Sequence, residues 1–241
     1  AVPGRVYARW YFAGLQRTLV TQADRIAADS QTARTELLQH VRFQPDRVLV
    51  TGAGVDESYF SIERNIAQTP YLLNVGTVEQ RKNLAAALPL LVEHPDLILV
   101  SAGPHTTYAR DVQQAARALG VENRLRLLGY VSPEALLALY AGALAFVFPS
   151  TYEGFGLPPL QALAAGLPVI AADIAVLREV LDSCAWFAAP SDGDALARAL
   201  REIRRGGTAV ESRVSTGRTW ARGFGWPAVA ERMMRLYRSV A

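Results

Sequence analysis

Residues 152–170 have the sequence Tyr-Glu-Gly-Phe-Gly-Leu-Pro-Pro-Leu-Gln-Ala-Leu-Ala-Ala-Gly-Leu-Pro-Val-Ile, the most informative segment of the chain. The apolar residues 145–148 before it predict a buried strand. Gly154 and Gly156 predict a loop that approaches a ligand closely, because glycine adopts backbone conformations closed to other residues. Pro158 suits the first turn of a helix and Gly166 suits its C-terminal cap. The stretch therefore predicts a strand, a glycine loop, a helix and a second strand.

The start of this predicted helix is a candidate anion site. The N–H groups near Phe155, Gly156 and Leu157 lack partners within the helix, and the helix dipole favours negative charge there. Glu153 places a single carboxylate beside them. The combination can hold a phosphate and a polyol together.

Arg81 and Lys82 form a candidate phosphate-binding pair. Lys82 is the only lysine among the 25 basic residues of the sequence, and such a bias towards arginine is typical of genome composition or of a warm habitat. The pair follows the apolar residues 71–75 and Gly76, at the end of a predicted strand. The planar fork of arginine and the compact charge of lysine together suit a pyrophosphate. The alternative is a solvated start of a helix.

Apolar strands alternate with amphipathic helices from about residue 70 onward. The predicted strands cover residues 71–75, 97–101, 124–128, 145–148, 168–172 and 185–188. This alternation predicts an α/β fold, a Rossmann-like parallel sheet with helices on both faces. Ligands of such folds bind at the carboxyl ends of the strands. The loops at residues 77–83, 103–104, 129–131 and 150–156 all fall there, so we expect them to converge on one crevice.

Two motifs of the chain resemble a known family. The run from Glu153 to Pro158, followed by a helix and Gly-Leu-Pro-Val-Ile at 166–170, resembles the donor-site signature of glycosyltransferase family 4, the glycosyl transferases group 1. These are retaining enzymes of the GT-B fold that use nucleotide sugars. The segment from Gly76 to Asn83 resembles the part of the family that holds the donor phosphates. The resemblance covers about residues 20–240.

The family pattern has two glutamates separated by seven residues. Glu153 matches the first glutamate, but Gln161 occupies the second position. In the family, the first glutamate contacts hydroxyls of the donor sugar and the second contacts the ribose. A glutamine can still bond a ribose hydroxyl, although a neutral hydrogen bond is roughly half as strong as a charge-assisted one.

The resemblance implies a role for each candidate residue. Arg81 and Lys82 would stabilise the diphosphate leaving group, Glu153 would orient the sugar, and Gln161 would hold the ribose. Further contacts would come from backbone atoms. Those of Gly76, Gly154, Phe155, Gly156 and Leu157 would contact the phosphates, and those of Gly129, Tyr130 and Val131 would contact the nucleotide base. The acceptor would attack the face of the sugar from which the leaving group departs, and the donor phosphate would accept the proton of the acceptor. No cofactor and no catalytic metal is expected.

The same resemblance predicts the domain organisation. Residues 1–55 would be the end of an N-terminal, acceptor-side domain and its hinge, with helices over 7–20 and 31–40, Ser30 as a cap, and short strands over 23–28 and 48–51. Residues 56–224 would form the donor-binding domain. Residues 225–241 would form a helix that crosses back to the first domain, with Trp226, Val229, Ala230, Met233 and Tyr237 on its apolar face; the alternative is that it packs on its own domain. Most of the acceptor domain would be missing from this chain.

Composition limits the partners. The net charge of +3 is too small to argue for nucleic acid. Arginines cluster towards the C-terminus, which predicts a solvated face or contact with an anionic membrane that carries a lipid-linked acceptor. Cys184 is the single cysteine, which excludes a disulfide framework and a zinc cluster of cysteines. No apolar run is long enough to span a membrane. We expect a cytoplasmic protein, with peripheral contact at the inner face of the membrane as a further interpretation.

Weaker signals favour structural roles. The Asp-Gly-Asp at 192–194 has the form of a metal-dependent glycosyltransferase motif, but Asp192 directly precedes a predicted helix, where an aspartate cap is expected. The three histidines lack metal spacing, and Glu153 has no obvious second carboxylate, which argues against a glycosidase.

The sequence therefore predicts a retaining glycosyltransferase, a hexosyltransferase of surface polysaccharide synthesis. It would transfer a sugar from a nucleotide sugar to a saccharide or lipid-linked acceptor, with GDP-mannose or a GDP-linked deoxysugar as the donor. Two alternatives remain: a nucleotide-sugar binding module without turnover, and phosphorylase or epimerase chemistry on the same fold.

Overall fold

The computed structural model describes residue 20 and residues 22–240. The strands are β1 (Ile26–Ala28), β2 (Val48–Val50), β3 (Tyr71–Val75), β4 (Ile98–Ala102), β5 (Leu125–Gly129), β6 (Ala145–Phe148), β7 (Val169–Ala172) and β8 (Trp186–Ala188). The helices are α1 (Gln31–His40), α2 (Glu57–Phe60), α3 (Leu88–Glu93), α4 (Tyr108–Ala118), α5 (Pro133–Gly142), α6 (Leu157–Ala164), α7 (Ala175–Leu181), α8 (Gly193–Arg205), α9 (Thr208–Ala221) and α10 (Trp226–Arg238).

Six parallel strands form the central sheet, in the order β5-β4-β3-β6-β7-β8. The chain starts in the middle at β3, moves outward to β5, returns to β6 beside β3, and moves outward again to β8. The direction of winding therefore reverses between β3 and β6. In a sheet of this kind, the crevice outside the carboxyl ends of the two central strands is the place where ligands bind. The predicted α/β, Rossmann-like fold is confirmed, and all six strands lie within one residue of their predicted bounds.

The inner strands β3, β4, β6 and β7 are buried on both faces, which explains why they are largely apolar. Successive side chains of a strand point to opposite faces. Phe146 and Phe148 of β6 join Tyr140 and the helices α5, α6 and α7 on one face. Ala145 and Val147 join the helices α3, α4 and α8 on the other face. Each fully buried large apolar side chain stabilises the fold by roughly 1.5–3 kcal/mol.

A buried polar link fixes the two strands at the reversal point. Asn74 of β3 donates through Nδ2 to the carbonyl of Val147 in β6 at 2.9 Å. Its Oδ1 accepts from the hydroxyl of Ser101 in β4 at 3.2 Å. Because a buried amide without partners would cost free energy, this side chain favours one register of the three strands.

The N-terminal segment contributes a separate two-stranded parallel sheet, β1 and β2, and the helix α1. Ser30 caps α1 by accepting a hydrogen bond from the N–H of Ala33, and α1 has its predicted bounds. Strand β1 is shorter than predicted, because residues 23–25 form no ladder with β2. Apart from Val20, the helix predicted over residues 7–20 lies outside the described residues.

The prediction for the apolar face of α10 is confirmed for Val229 and wrong for Trp226, Ala230 and Tyr237. Val229 and Leu236 are its buried residues, whereas Trp226 and Tyr237 are more than half exposed. Leu236 lies seven residues after Val229, which is two helical turns, so it continues the buried stripe that Tyr237 was expected to continue. The helix contacts the N-terminal segment, because Arg232 donates through Nε to the carbonyl of Thr51 at 2.7 Å. The assignment of residues 1–55 to another domain stays a prediction.

In the part of the chain that the structure describes, no helix combines the length and the apolar character needed to cross a bilayer.

Candidate functional site

The two predicted motifs meet at the reversal point of the sheet. Residues 80–82 form a short 3-10 helix after β3, and residues 149–156 form the loop after β6. The N–H of Thr151 donates to the carbonyl of Arg81 at 2.8 Å. Asn83 takes a left-handed conformation with φ of 53°, and its Nδ2 donates to the carbonyls of Pro149 and Pro190 at 3.2 and 3.0 Å. The Arg81–Lys82 segment is therefore tied to the loops that follow β6 and β8.

Lys82 and Glu153 form a buried ion pair at the centre of this site. Lys82 Nζ lies 2.6 Å from Glu153 Oε1, and both residues are 8% exposed. Arg81 Nη1 lies 3.1 Å from the other carboxylate oxygen. The Lys82 ammonium also lies 4.8 Å from the centre of the Phe148 ring, a cation–π distance. The sequence interpretation gave Arg81 and Lys82 the diphosphate and Glu153 the sugar, and it missed the direct contact of these residues.

Glu79 is a fourth member of the cluster, and the sequence interpretation missed it. Its Oε1 lies 2.8 Å from Arg81 Nη2. Two cations thus meet two carboxylates, so the formal charge of the cluster is zero. The signal that could have found Glu79 is its charge two residues before Arg81, because alternate residues of an extended or 3-10 segment can meet through long side chains.

Three glycines bring the carboxyl ends of β3, β4 and β5 into one wall. Gly103 has φ of +146°, and a Cβ atom there would lie 2.2 Å from the carbonyl oxygen of Gly76. The N–H of Gly103 donates to the carbonyl of Gly129 at 2.8 Å. The predicted site residues Gly76 and Gly129 therefore border the same crevice. Tyr130, which follows Gly129, is 83% exposed, and Val131 is half-buried.

The glycine loop delivers the start of α6 to the same crevice. Gly156 precedes the helix with φ of +97°, and a Cβ there would lie 2.5 Å from a methyl carbon of Leu177, so only glycine fits without a shift. The carbonyl of Gly154 accepts a hydrogen bond from Ser30 Oγ at 3.0 Å. Among the described residues, the N–H groups from Gly154 to Leu157 have no protein acceptor. They remain available to an anion.

Gln161 lies in α6 and is half-buried. Its Oε1 lies 3.4 Å from the hydroxyl of Tyr140, which also lies 3.2 Å from the carbonyl of Pro158. Burial, together with the neighbouring Tyr59, raises the pKa of the Tyr140 hydroxyl well above its usual range. Within residues 22–240, the structure records Tyr140 as the side-chain partner of Gln161 and records no contact between Gln161 and the ion cluster.

Asp192 acts as a helix cap. Its carboxylate accepts a hydrogen bond from the N–H of Ala195 at 2.9 Å, at the start of α8, which confirms the predicted cap. Across the described residues, no group of three or more histidine, cysteine, aspartate or glutamate side chains is placed to hold a metal ion.

The C-terminal arginines are solvated only in part: Arg205, Arg235 and Arg238 are exposed, as the prediction of a solvated face expects, whereas others bind protein groups. Arg204 binds Asp96 with two hydrogen bonds, Arg213 stacks on the Trp186 ring at 4.3 Å, and Arg218 donates to the carbonyl of Phe60. These arginines lie on different helices and mainly join elements of the fold. Contact with a membrane stays a prediction.

The sequence profile described as "Glycosyl transferases group 1" matches residues 56–219. The chain belongs to this family. Both motifs of the ion cluster and the whole six-stranded sheet lie inside the matched range. The family is a family of transferases, so the resemblance in the two motifs is confirmed at that level.

Individual relatives agree with this assignment. The chain is 28% identical over 226 residues to the O-antigen chain mannosyltransferase B of Escherichia coli. The alignment covers 87% of this chain and 59% of that protein. The sucrose-phosphate synthase of Thermosynechococcus elongatus superposes with a TM-score of 0.83 at 22% identity, over 95% of this chain and 61% of that one. Anabaena HepE, solved in complex with UDP and glucose, also gives 0.83, at 18% identity over 94% and 66%. The chain thus spans less than two thirds of each relative.

Proposed function

We propose that this chain is the donor-binding part of a retaining glycosyltransferase, which transfers a sugar from a nucleoside diphosphate sugar to a saccharide or lipid-linked acceptor. The observation that carries the proposal is the cluster of Arg81, Lys82 and Glu153, because it lies where the winding of the sheet reverses. Membership of the transferase family supports the class of reaction.

The cations and the free amides suit the diphosphate. Charge builds on the leaving diphosphate as the bond to the sugar breaks, and fixed cations and N–H groups lower the barrier by stabilising that charge. Arg81 can reach a ligand because its side chain is 43% exposed. Lys82 lies in the adjacent buried position. The amides from Gly154 to Leu157 at the start of α6 add further donors.

Glu153 suits the hydroxyls of the sugar. A carboxylate can accept hydrogen bonds from two neighbouring hydroxyls. Gln161 would bond the ribose, and the backbone at Gly129, Tyr130 and Val131 would meet the base. In the proposed step, the bond from the anomeric carbon to the phosphate oxygen breaks while the acceptor oxygen bonds to that carbon. The acceptor proton passes to the departing phosphate, so this chain need supply no catalytic carboxylate, cofactor or metal.

We further propose mannose or a related deoxysugar, as the GDP conjugate, for the donor, and surface polysaccharide synthesis for the pathway. The name of the Escherichia coli relative supports both choices. The complex of Anabaena HepE with UDP makes UDP conjugates the first competitors to test. As part of the same proposal, the protein acts in the cytoplasm or at the inner face of the membrane, together with an N-terminal acceptor-side domain.

A binding module without turnover is the second candidate, and Gln161 favours it because an amide replaces the charged ribose contact. Transfer assays distinguish the two. The full-length protein, with its acceptor-side domain, would be incubated with GDP-mannose, UDP-glucose and saccharide acceptors, and the products followed by NMR. The proposal predicts a new glycoside with the anomeric configuration of the donor. Saturable donor binding with no glycoside formed would favour the module, and an inverted product would contradict the retaining mechanism.

A further inference from the structure

The guanidinium of Arg81 lies between two carboxylates. Glu79 Oε1 is 2.8 Å from its Nη2, and Glu153 Oε2 is 3.1 Å from its Nη1. Lys82 is held in turn by the other oxygen of Glu153 at 2.6 Å. The cations assigned to the diphosphate are therefore already neutralised within the protein.

A diphosphate would meet a neutral cluster rather than two free cations. The diphosphate and the two carboxylates carry like charges and would contact the same cations, so they repel each other. The diphosphate therefore binds Arg81 and Lys82 completely only when the carboxylates have moved away from these cations. Glu153 would gain sugar hydroxyls as new partners in the donor complex. Glu79 is different. Among the described residues, its side chain pairs with Arg81. The proposed function places the sugar at Glu153, so the donor offers Glu79 no new partner.

The Glu79–Arg81 pair contributes little to the fold. Both side chains are partly exposed, at 32% and 43%. Solvent and salt screen exposed pairs of this kind, so most of them add almost nothing measurable to stability. Glu79 directly precedes the 3-10 helix that carries Arg81 and Lys82. Its charge therefore acts mainly on a ligand that binds these cations.

We propose that Glu79 sets the affinity of the site for nucleoside diphosphates, by competing with the diphosphate for Arg81. This inference rests on the proposed function of the same crevice. Glu79 lowers the affinity for the donor, and it lowers the affinity for the product, which keeps the diphosphate after the sugar has left. When the product diphosphate loosens, Glu79 returns to Arg81 and favours release. Glu79 is thus a positioning residue that acts through Arg81.

The test is Glu79→Gln, which keeps the size of the side chain and removes its charge. The matched control is Glu93→Gln, because Glu93 binds Arg201 at 2.5 Å with similar exposure, 37% and 42%. Glu93 ends α3, before the amino end of β4, so it lies at the opposite end of the sheet from the crevice. Both variants change the net charge equally, and only Glu79→Gln changes the cluster.

Binding and release would be measured with GDP and UDP by calorimetry and with their fluorescent N-methylanthraniloyl forms by stopped flow. We expect Glu79→Gln to tighten diphosphate binding about fivefold at low ionic strength, mainly through slower dissociation, and we expect salt to reduce the difference. Glu93→Gln should match the wild-type protein. In an Arg81→Gln background, Glu79→Gln should have no effect.

The outcomes separate the two proposals. Wild-type binding that Glu79→Gln leaves unchanged or weakens would overturn the role of Glu79 and leave the proposed function standing. Equal tightening by Glu93→Gln would also overturn it, since net charge would then explain the result. Failure of GDP and UDP to bind either the wild-type protein or Glu79→Gln, with both shown to be folded, would overturn the proposed function and this inference with it.

Discussion

Replacement of Lys82 by methionine should destabilise the protein by about 3 kcal/mol. The change keeps an unbranched side chain one atom shorter than lysine and removes its charge, which leaves Glu153 at 8% exposure without its partner at 2.6 Å. Breaking one side of a buried ion pair costs about 3–5 kcal/mol. We expect the lower end of that range because Arg81 Nη1 stays 3.1 Å from the carboxylate.

A double-mutant cycle of Lys82 and Glu153 measures the energy of the same ion pair. Glu153→Gln should cost about 2–3 kcal/mol, since it leaves the Lys82 ammonium buried against Phe148 with a weaker acceptor. The double variant Lys82→Met with Glu153→Gln should cost no more than either single change, because no buried charge is then left unpaired. The coupling energy between the two positions should therefore be at least about 3 kcal/mol.

Urea unfolding followed by tryptophan fluorescence at pH 7 measures each free energy of unfolding. The exposed pair Arg201 and Glu93 provides the control cycle, with Arg201→Met and Glu93→Gln. Its coupling energy should be below about 1 kcal/mol. A Lys82–Glu153 coupling energy no larger than that of the exposed pair would refute the buried, paired arrangement.

Three further predictions concern the wall, the pH response and the ribose contact. Gly103→Ala should lower the free energy of unfolding by more than about 3 kcal/mol, because its Cβ would meet the carbonyl oxygen of Gly76, whereas Gly120→Ala, with φ of +68° and open space, should cost about 1 kcal/mol in the same urea assay. Burial and the neighbouring Arg204 hold the pKa of His94 below its usual value, so the unfolded chain takes up that proton first and stability should fall as the pH drops below about 6.5; His94→Gln should reduce this loss in unfolding curves between pH 7 and 5. Gln161→Glu should improve calorimetric binding of a ribonucleoside diphosphate about threefold relative to its 2′,3′-dideoxy form, since a carboxylate accepts the stronger hydrogen bond; equal gains for both ligands would contradict a ribose contact.

The sheet could be predicted from the sequence because its inner strands are buried on both faces and are therefore largely apolar. Residues 71–75 and 145–148 are apolar runs bounded by Gly76 and Pro149, and the structure gives both strands the predicted bounds. The convergence of the loops followed from the same prediction, because parallel strands place their carboxyl ends at one edge. Gly76 and Gly129 contact Gly103 at this edge of the sheet, because they end or directly follow neighbouring parallel strands.

The contacts within the site could not be predicted in the same way. Lys82 and Glu153 are 71 residues apart, and no periodicity relates them. Their pairing depends on the order of the strands, which places β3 beside β6. The alternation of strands and helices is compatible with several strand orders. The signals on which the sequence interpretation relied describe single elements, so they identified the charged residues without the distances between them.

The buried face of α10 was mistaken for a related reason. Aromatic residues such as Trp226 and Tyr237 suggest a core, but large apolar side chains also occur at the surface. One contact of this helix with the N-terminal segment is polar, from Arg232 to the carbonyl of Thr51. A backbone acceptor of this kind has no signature in the sequence.

Calorimetric titration of this chain with GDP, UDP and ADP tests the central claim most directly, namely that the crevice between β3 and β6 holds the diphosphate of a sugar nucleotide. Lys82→Met is the control, at a temperature where circular dichroism shows it to be folded. The account predicts saturable binding of at least one nucleoside diphosphate, weakened about tenfold or more in the variant, since a charge-assisted contact contributes about 1.5–3 kcal/mol. Absence of binding to the folded chain, or equal binding by the variant, would contradict the account.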